Sequence, residues 1–97
     1  MAPLNYEIHG TGEPLILLGA GIEFFPSLAD VRQVIAVDLE THAGIEAMVD
    51  DVAALIRHLG IGKTDIIGYS MGGMVALRTA VRHPGLVGTL FVSAACN

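Results

Sequence analysis

Gly68-Tyr69-Ser70-Met71-Gly72 is the stretch of this chain whose residue types and spacing suit covalent chemistry. It is a G-x-S-x-G sequence with one more glycine, Gly73, behind it. A serine hydroxyl attacks a carbonyl carbon when the backbone presents it on a sharp turn between a strand and a helix. The flanking Gly68 and Gly72 would let two backbones approach where a Cβ would collide, and Ser70 would take strained dihedrals that expose its Oγ. A helix opening at Met71 would aim free N–H groups and a positive dipole end at the same point, so the Met71 N–H is a candidate oxyanion donor. With three serines and 12 glycines in the chain, chance alone gives such a motif in roughly 4% of chains of this composition. Demanding a strand before and a helix after makes chance less adequate still; the plain alternative is a glycine-rich turn with an idle serine.

The elements around the motif meet that demand. Asp65-Ile66-Ile67-Gly68 precedes it as a short apolar run, and the twelve residues from Met71 to Arg82 are apolar almost all round, as in a helix packed deep against a sheet. Similar runs occur at Leu15-Ile16-Leu17-Leu18, at Val34-Ile35-Ala36-Val37 and from Val87 to Ser93. Strands apolar on both sides belong in a parallel sheet covered on both faces. Ile45, Met48, Val49, Val52, Ile56 and Leu59 form one helical stripe, which Gly60 ends as a left-handed stop. The connection 23–32, broken by Pro26, has room for two turns of helix. Asn5 to His9 reads as an extra antiparallel edge strand, turning through Gly10-Thr11-Gly12 into the first parallel one. The alternation sets the class as α/β.

Bulk properties narrow the function. The chain has 97 residues, 53% hydrophobic and 15% charged, which gives a single domain over 1–97 and excludes disorder. A net charge of −5 with scattered basic residues leaves no footprint for nucleic acid or an anionic membrane. No apolar run reaches the roughly 18 residues of a membrane span, and the N-terminus lacks the pattern of a signal peptide. The single cysteine, Cys96, cannot form an internal disulfide, so a reducing, cytoplasmic setting is expected.

The segments VIAVDL (34–39), MVDDVAALIRHLG (48–60), IIGYSMGGMVAL (66–77) and HPGLVGTLFVSA (83–94) together resemble the N-terminal half of an α/β-hydrolase, of the bacterial esterase and haloperoxidase-like kind. The resemblance covers nearly the whole chain. It implies a minimised hydrolase core that cleaves acyl or carbon–carbon bonds through a serine, a histidine and an acid, with no metal and no cofactor. Ser70 falls on the nucleophile, and the second oxyanion donor falls on the Ala20 N–H. With the right-handed crossover rule it implies a parallel sheet of four strands in the order 2-1-3-4, Ser70 standing at the carboxyl edge.

The chain also departs from that pattern. The family's acid and histidine follow the nucleophile on strands later than the fourth one here, and none follows Val87 to Ser93 in these 97 residues. Leu18 runs into Gly19-Ala20-Gly21 where a His-Gly pair is usual, and Leu39-Glu40-Thr41-His42-Ala43 replaces a longer loop. His9, His58 and His83 fall at the far edge of such a sheet. His42, just past the second strand, is at the right end and is the candidate base, with Asp38, Glu40 or Glu23 to orient it; the alternative is a solvated loop histidine. Weak hydrolysis of carboxylic esters is therefore expected, against an inert scaffold. A lesser alternative is nucleotide binding, because Gly19-Ala20-Gly21 followed by Asp38 has part of a dinucleotide fingerprint, with Phe24 in place of its third glycine.

The same handedness puts the 23–32 connection on one face and both helices on the other. One apolar face is then bare over the third and fourth strands. A homodimer through that face or through the edge at Leu90, Phe91 and Val92 is the expected remedy.

Overall fold

A computed structural model describes residues 4–39 and 44–93. Its elements are β1 (Asn5–His9), β2 (Pro14–Leu18), two short 3₁₀ turns (Ile22–Phe24 and Pro26–Asp30), β3 (Gln33–Asp38), α1 (Ile45–Leu59), β4 (Thr64–Tyr69), α2 (Met71–Arg82), a 3₁₀ turn (Pro84–Leu86) and β5 (Val87–Ser93). The sheet runs β1-β3-β2-β4-β5, parallel except for β1. The four parallel strands thus take the order expected from the sequence. Helix α1 ends at Gly60 in the left-handed conformation, φ 64°, as its sequence requires.

Two expectations need correction. The 23–32 connection forms no α-helix: Pro26 lacks an N–H to continue the first turn, and the segment breaks into two 3₁₀ pieces. Strand β1 leads into β2 but does not pair with it; it crosses to β3, Asn5 lying opposite Asp38 and His9 opposite Val34. Pairing there covers the edge of β3, and β2 keeps two parallel neighbours.

The core is lopsided. Ile16, Leu18, Ile35, Val37 and Ile66 face α1 and α2, where Met48, Val52, Leu55, Ile56, Val75 and Ala76 close over them. The other face buries only Leu15, Leu17 and Val34, under Ile22, Phe25 and Leu28 of the 3₁₀ pieces. Beyond that cover Phe91 is 59% exposed, so the face is bare over β5, as the crossover argument expects. Arg78 and Arg82 of α2 both pair with Glu46 of α1, and Arg82 also reaches Asp50 at 3.1 Å, tying the two helices along their solvent side.

At the opposite end of the strands Arg32 bridges the connection to the sheet. Its guanidinium donates to the carbonyls of Glu13 and Pro14 and to Asp65 Oδ2, at 3.0, 2.8 and 3.0 Å. Asp65 Oδ1 accepts the Thr89 N–H at 2.9 Å, where the β4–β5 register slips. That backbone donor, with the Arg32 guanidinium beside it, holds the Asp65 carboxyl below its ordinary value of 3.8.

Candidate active site

Ser70 is the hinge between β4 and α2, with φ 57° and ψ −124°. It is the only non-glycine residue with positive φ among the described residues. A side chain in that region is strained by Cβ–backbone contact and persists only where its surroundings over-determine it. Those surroundings can be named. The Ser70 N–H donates to the Ser93 carbonyl at 2.8 Å, and the Ser70 carbonyl accepts the Gly73 N–H at 2.9 Å. The chain is thereby pinned on both sides of the serine, whose side chain stays exposed.

The glycines explain how the turn fits. A Cβ on Gly72 would lie 2.4 Å from the carbonyl carbon of Leu18, and one on Gly68 would lie 2.5 Å from the Gly72 oxygen. On Gly19, with φ +86°, a Cβ would be 2.1 Å from the Tyr69 carbonyl oxygen. Three backbone segments (the ends of β2 and β4 and the first turn of α2) therefore touch with no side chain between them. This is close approach of the kind the sequence motif calls for, with Gly19 as a third participant.

These segments open onto a cleft of about 710 Å³ at the carboxyl edge of the sheet. Ser70, Met71, Gly72, Gly19, Ala20 and Gly21 line one wall, and Glu23, Asp38 and Leu39 line another. The structure thus brings Ser70 together with the two residues expected to supply oxyanion N–H groups, Met71 and Ala20. Met71 opens α2, where backbone N–H groups lack partners within the helix. His42 and Glu40 lie outside the described residues. His9 stands opposite the start of β3, and His58 and His83 sit at the far ends of α1 and α2, away from the cleft. Among the described residues the lining contains no histidine and includes three carboxylates, Glu7, Glu23 and Asp38.

Asn5, Tyr6 and Glu7 also line the cleft, and sequence reasoning missed them. Their place follows from the antiparallel pairing of β1 with β3, which carries Asn5 up to Asp38 at the site edge. A strand assumed to turn into β2 gives no such signal. The nucleotide reading fares poorly here. The Gly19-Ala20-Gly21 turn leads into a three-residue 3₁₀ piece, so no α-helix N-terminus stands there to hold a phosphate, and Phe24 is 69% exposed.

Comparison with known proteins agrees with this geometry. The family model for the alpha/beta hydrolase fold matches residues 8–97. The pimeloyl-[acyl-carrier protein] methyl ester esterase of Neisseria meningitidis serogroup C is 38% identical over 92% of this chain and 35% of its own length. The soluble epoxide hydrolase of Corynebacterium sp. strain C12 is 33% identical over 92% of this chain and 37% of its own. A marine microorganism esterase superposes with a TM-score of 0.83 at 30% identity, covering 95% of this chain and 41% of that one. The chain therefore spans well under half the length of each of these relatives.

Proposed function

Since the chain belongs to the α/β-hydrolase family, we propose that it hydrolyses small carboxylic esters weakly, with Ser70 as the nucleophile. The observation that carries this is the strained, pinned backbone of Ser70 at a strand-to-helix turn facing an open cleft. Ser70 Oγ attacks the ester carbonyl, and its proton passes to a base. The Met71 and Ala20 N–H groups stabilise the oxyanion. The alcohol leaves with a proton, and water then cleaves the acyl-serine to acid and free serine. His42 is our choice of base, oriented by Asp38 or Glu23 across the cleft or by Glu40. A hydroxyl without an aligned base is a poor nucleophile, so the rate falls orders of magnitude short of a complete triad. Ester substrates are supported by the esterases among the relatives. The same reading includes a reducing, cytoplasmic setting, given the single Cys96, and a homodimer through the bare face or the β5 edge.

One observation favours the inert-scaffold reading: the described lining offers Ser70 three carboxylates and no histidine. Fluorophosphonate labelling read residue by residue decides between them. The enzyme reading expects adduct on Ser70 alone, lost in Ser70→Ala together with p-nitrophenyl acetate turnover. Folded protein that takes up no label would leave the turn as architecture only.

A further inference from the structure

The outer edge of β5 is unpaired among the described residues. Its inner side is fixed by two hydrogen bonds: the Thr89 N–H points inward to Asp65 Oδ1, and the Ser93 carbonyl points inward to the Ser70 N–H. Alternate residues of a strand address the same side, so Leu90 and Val92 present their N–H and C=O groups outward. Edge strands of monomers are commonly blunted by charge or proline. The opposite edge strand, β1, carries Glu7 and His9; β5, Val-Gly-Thr-Leu-Phe-Val-Ser, carries no charge and no proline.

Apolar surface flanks this edge on both sides. On the helix side, Met74, Leu77 and Val81 of α2 are 60%, 51% and 69% exposed. Arg78 and Arg82 turn toward α1, while Gly73 faces Val92, and Leu77, one turn after Gly73, shares that flank. Val92 and, on the other face, Phe91 are 48% and 59% exposed. Contiguous apolar patches beyond a few hundred Å² are uncommon on monomers, and a stable dimer covers about 800 Å² per partner.

We propose that this edge binds a second copy of the same chain, β5 against β5, antiparallel about a two-fold axis at Leu90. The strand is complementary to itself in that register. Leu90 meets Leu90, Val92 meets the partner's Gly88, and Phe91 meets the partner's Thr89, so each large residue faces a small one or its own equivalent. The outward groups of Leu90 exchange a pair of hydrogen bonds. An axis perpendicular to the sheet keeps both α2 helices on one side of it, Leu77 flank toward Leu77 flank. The sheet then runs continuously through both copies. This deepens the homodimer reading above by choosing the edge over the face, and it stands whether or not Ser70 takes up label.

The test is the mass of the full chain by analytical ultracentrifugation over a dilution series, with backbone hydrogen exchange resolved at Leu90 and Val92. The expected result is a dimer in which those two amides exchange slower by on the order of tenfold or more than in dilute monomer. Leu77→Glu and Val92→Lys, both at exposed positions, should halve the mass and abolish the protection while far-UV dichroism stays unchanged; Leu77→Glu alone suffices if the strand variant unfolds. A monomer throughout, an open-ended series of larger species, or a dimer with both amides unprotected would each overturn the proposal, the last in favour of face-to-face stacking.

Discussion

At the scale of the residue, Ser70 and Asp65 show two ways in which the sheet holds a polar group in place. Ser70 is held by strain that its neighbours enforce, through the Ser93 carbonyl and the Gly73 N–H. Asp65 is held by charge-assisted bonds to Thr89 and Arg32, and its lowered pKa turns those bonds into a pH dependence. A depressed carboxyl stabilises the fold fully above its unfolded pKa and loses that contribution as pH falls through the folded one. Asp65→Ala should cost about 1.5 kcal/mol at neutral pH, a drop of roughly 6–12 °C in Tm for a domain this small. The gap between variant and parent should close on acidification below about pH 4, seen in paired thermal melts. A gap that stays constant with pH would assign the bonds no role in stability. Neither Asp65 contact was legible from the sequence, because each joins residues at least 24 positions apart through a slipped register that no local pattern announces. Ser70 was legible because its constraint is local: the glycines that make the turn feasible are its neighbours in sequence.

At the scale of the element, the contact of β2, β4 and α2 depends on having no side chain at Gly19, Gly68 and Gly72. Gly72→Ala would set a methyl group 2.4 Å from the Leu18 backbone, where nothing flexible can yield. A loss of about 2–3 kcal/mol is expected in urea titration. Gly85→Ala is the control, since a methyl group there would meet no atom within 4 Å, and it should change stability by less than about 0.5 kcal/mol. Equal effects of the two would refute the close-approach account. The elements themselves were largely readable. The stripe from Ile45 to Leu59 and the stop at Gly60 gave α1, and the apolar runs gave the parallel strands in their order. What periodicity did not give was the partner of β1 or the breakage of the 23–32 connection. Strand pairing is a long-range choice, and a proline-interrupted segment has too few turns to show a period.

At the scale of the whole molecule, the unequal faces of the sheet set where the stability resides. Ile16 and Leu17 are neighbours on the central strand, both fully buried, and they point to opposite sides. Ile16→Ala opens a hole between two tied helices that cannot follow it inward, and a loss of about 4 kcal/mol is expected. Leu17→Ala empties the side covered only by short 3₁₀ pieces, which can settle, and should cost nearer to about 2.5 kcal/mol. Chemical denaturation of the two variants side by side checks the order; the reverse order would mean that the thin layer is the rigid one.

The pairing of β2 with β4 has a further consequence, in time rather than in energy. Leu15 lies opposite Asp65 and Leu18 opposite Gly68, so each rung joins residues 50 positions apart. Strands β1, β2 and β3 lie within the first 38 residues, and their contacts close shorter loops. Closing the longer loop is the slower search. The cleft straddles that seam, with Ala20 on its early side and Ser70 and Met71 on its late side. An intermediate that has zipped β1, β3 and β2 would already own most of its sheet and none of its nucleophilic turn, so the ability of Ser70 to react should be the last property the chain acquires as it folds.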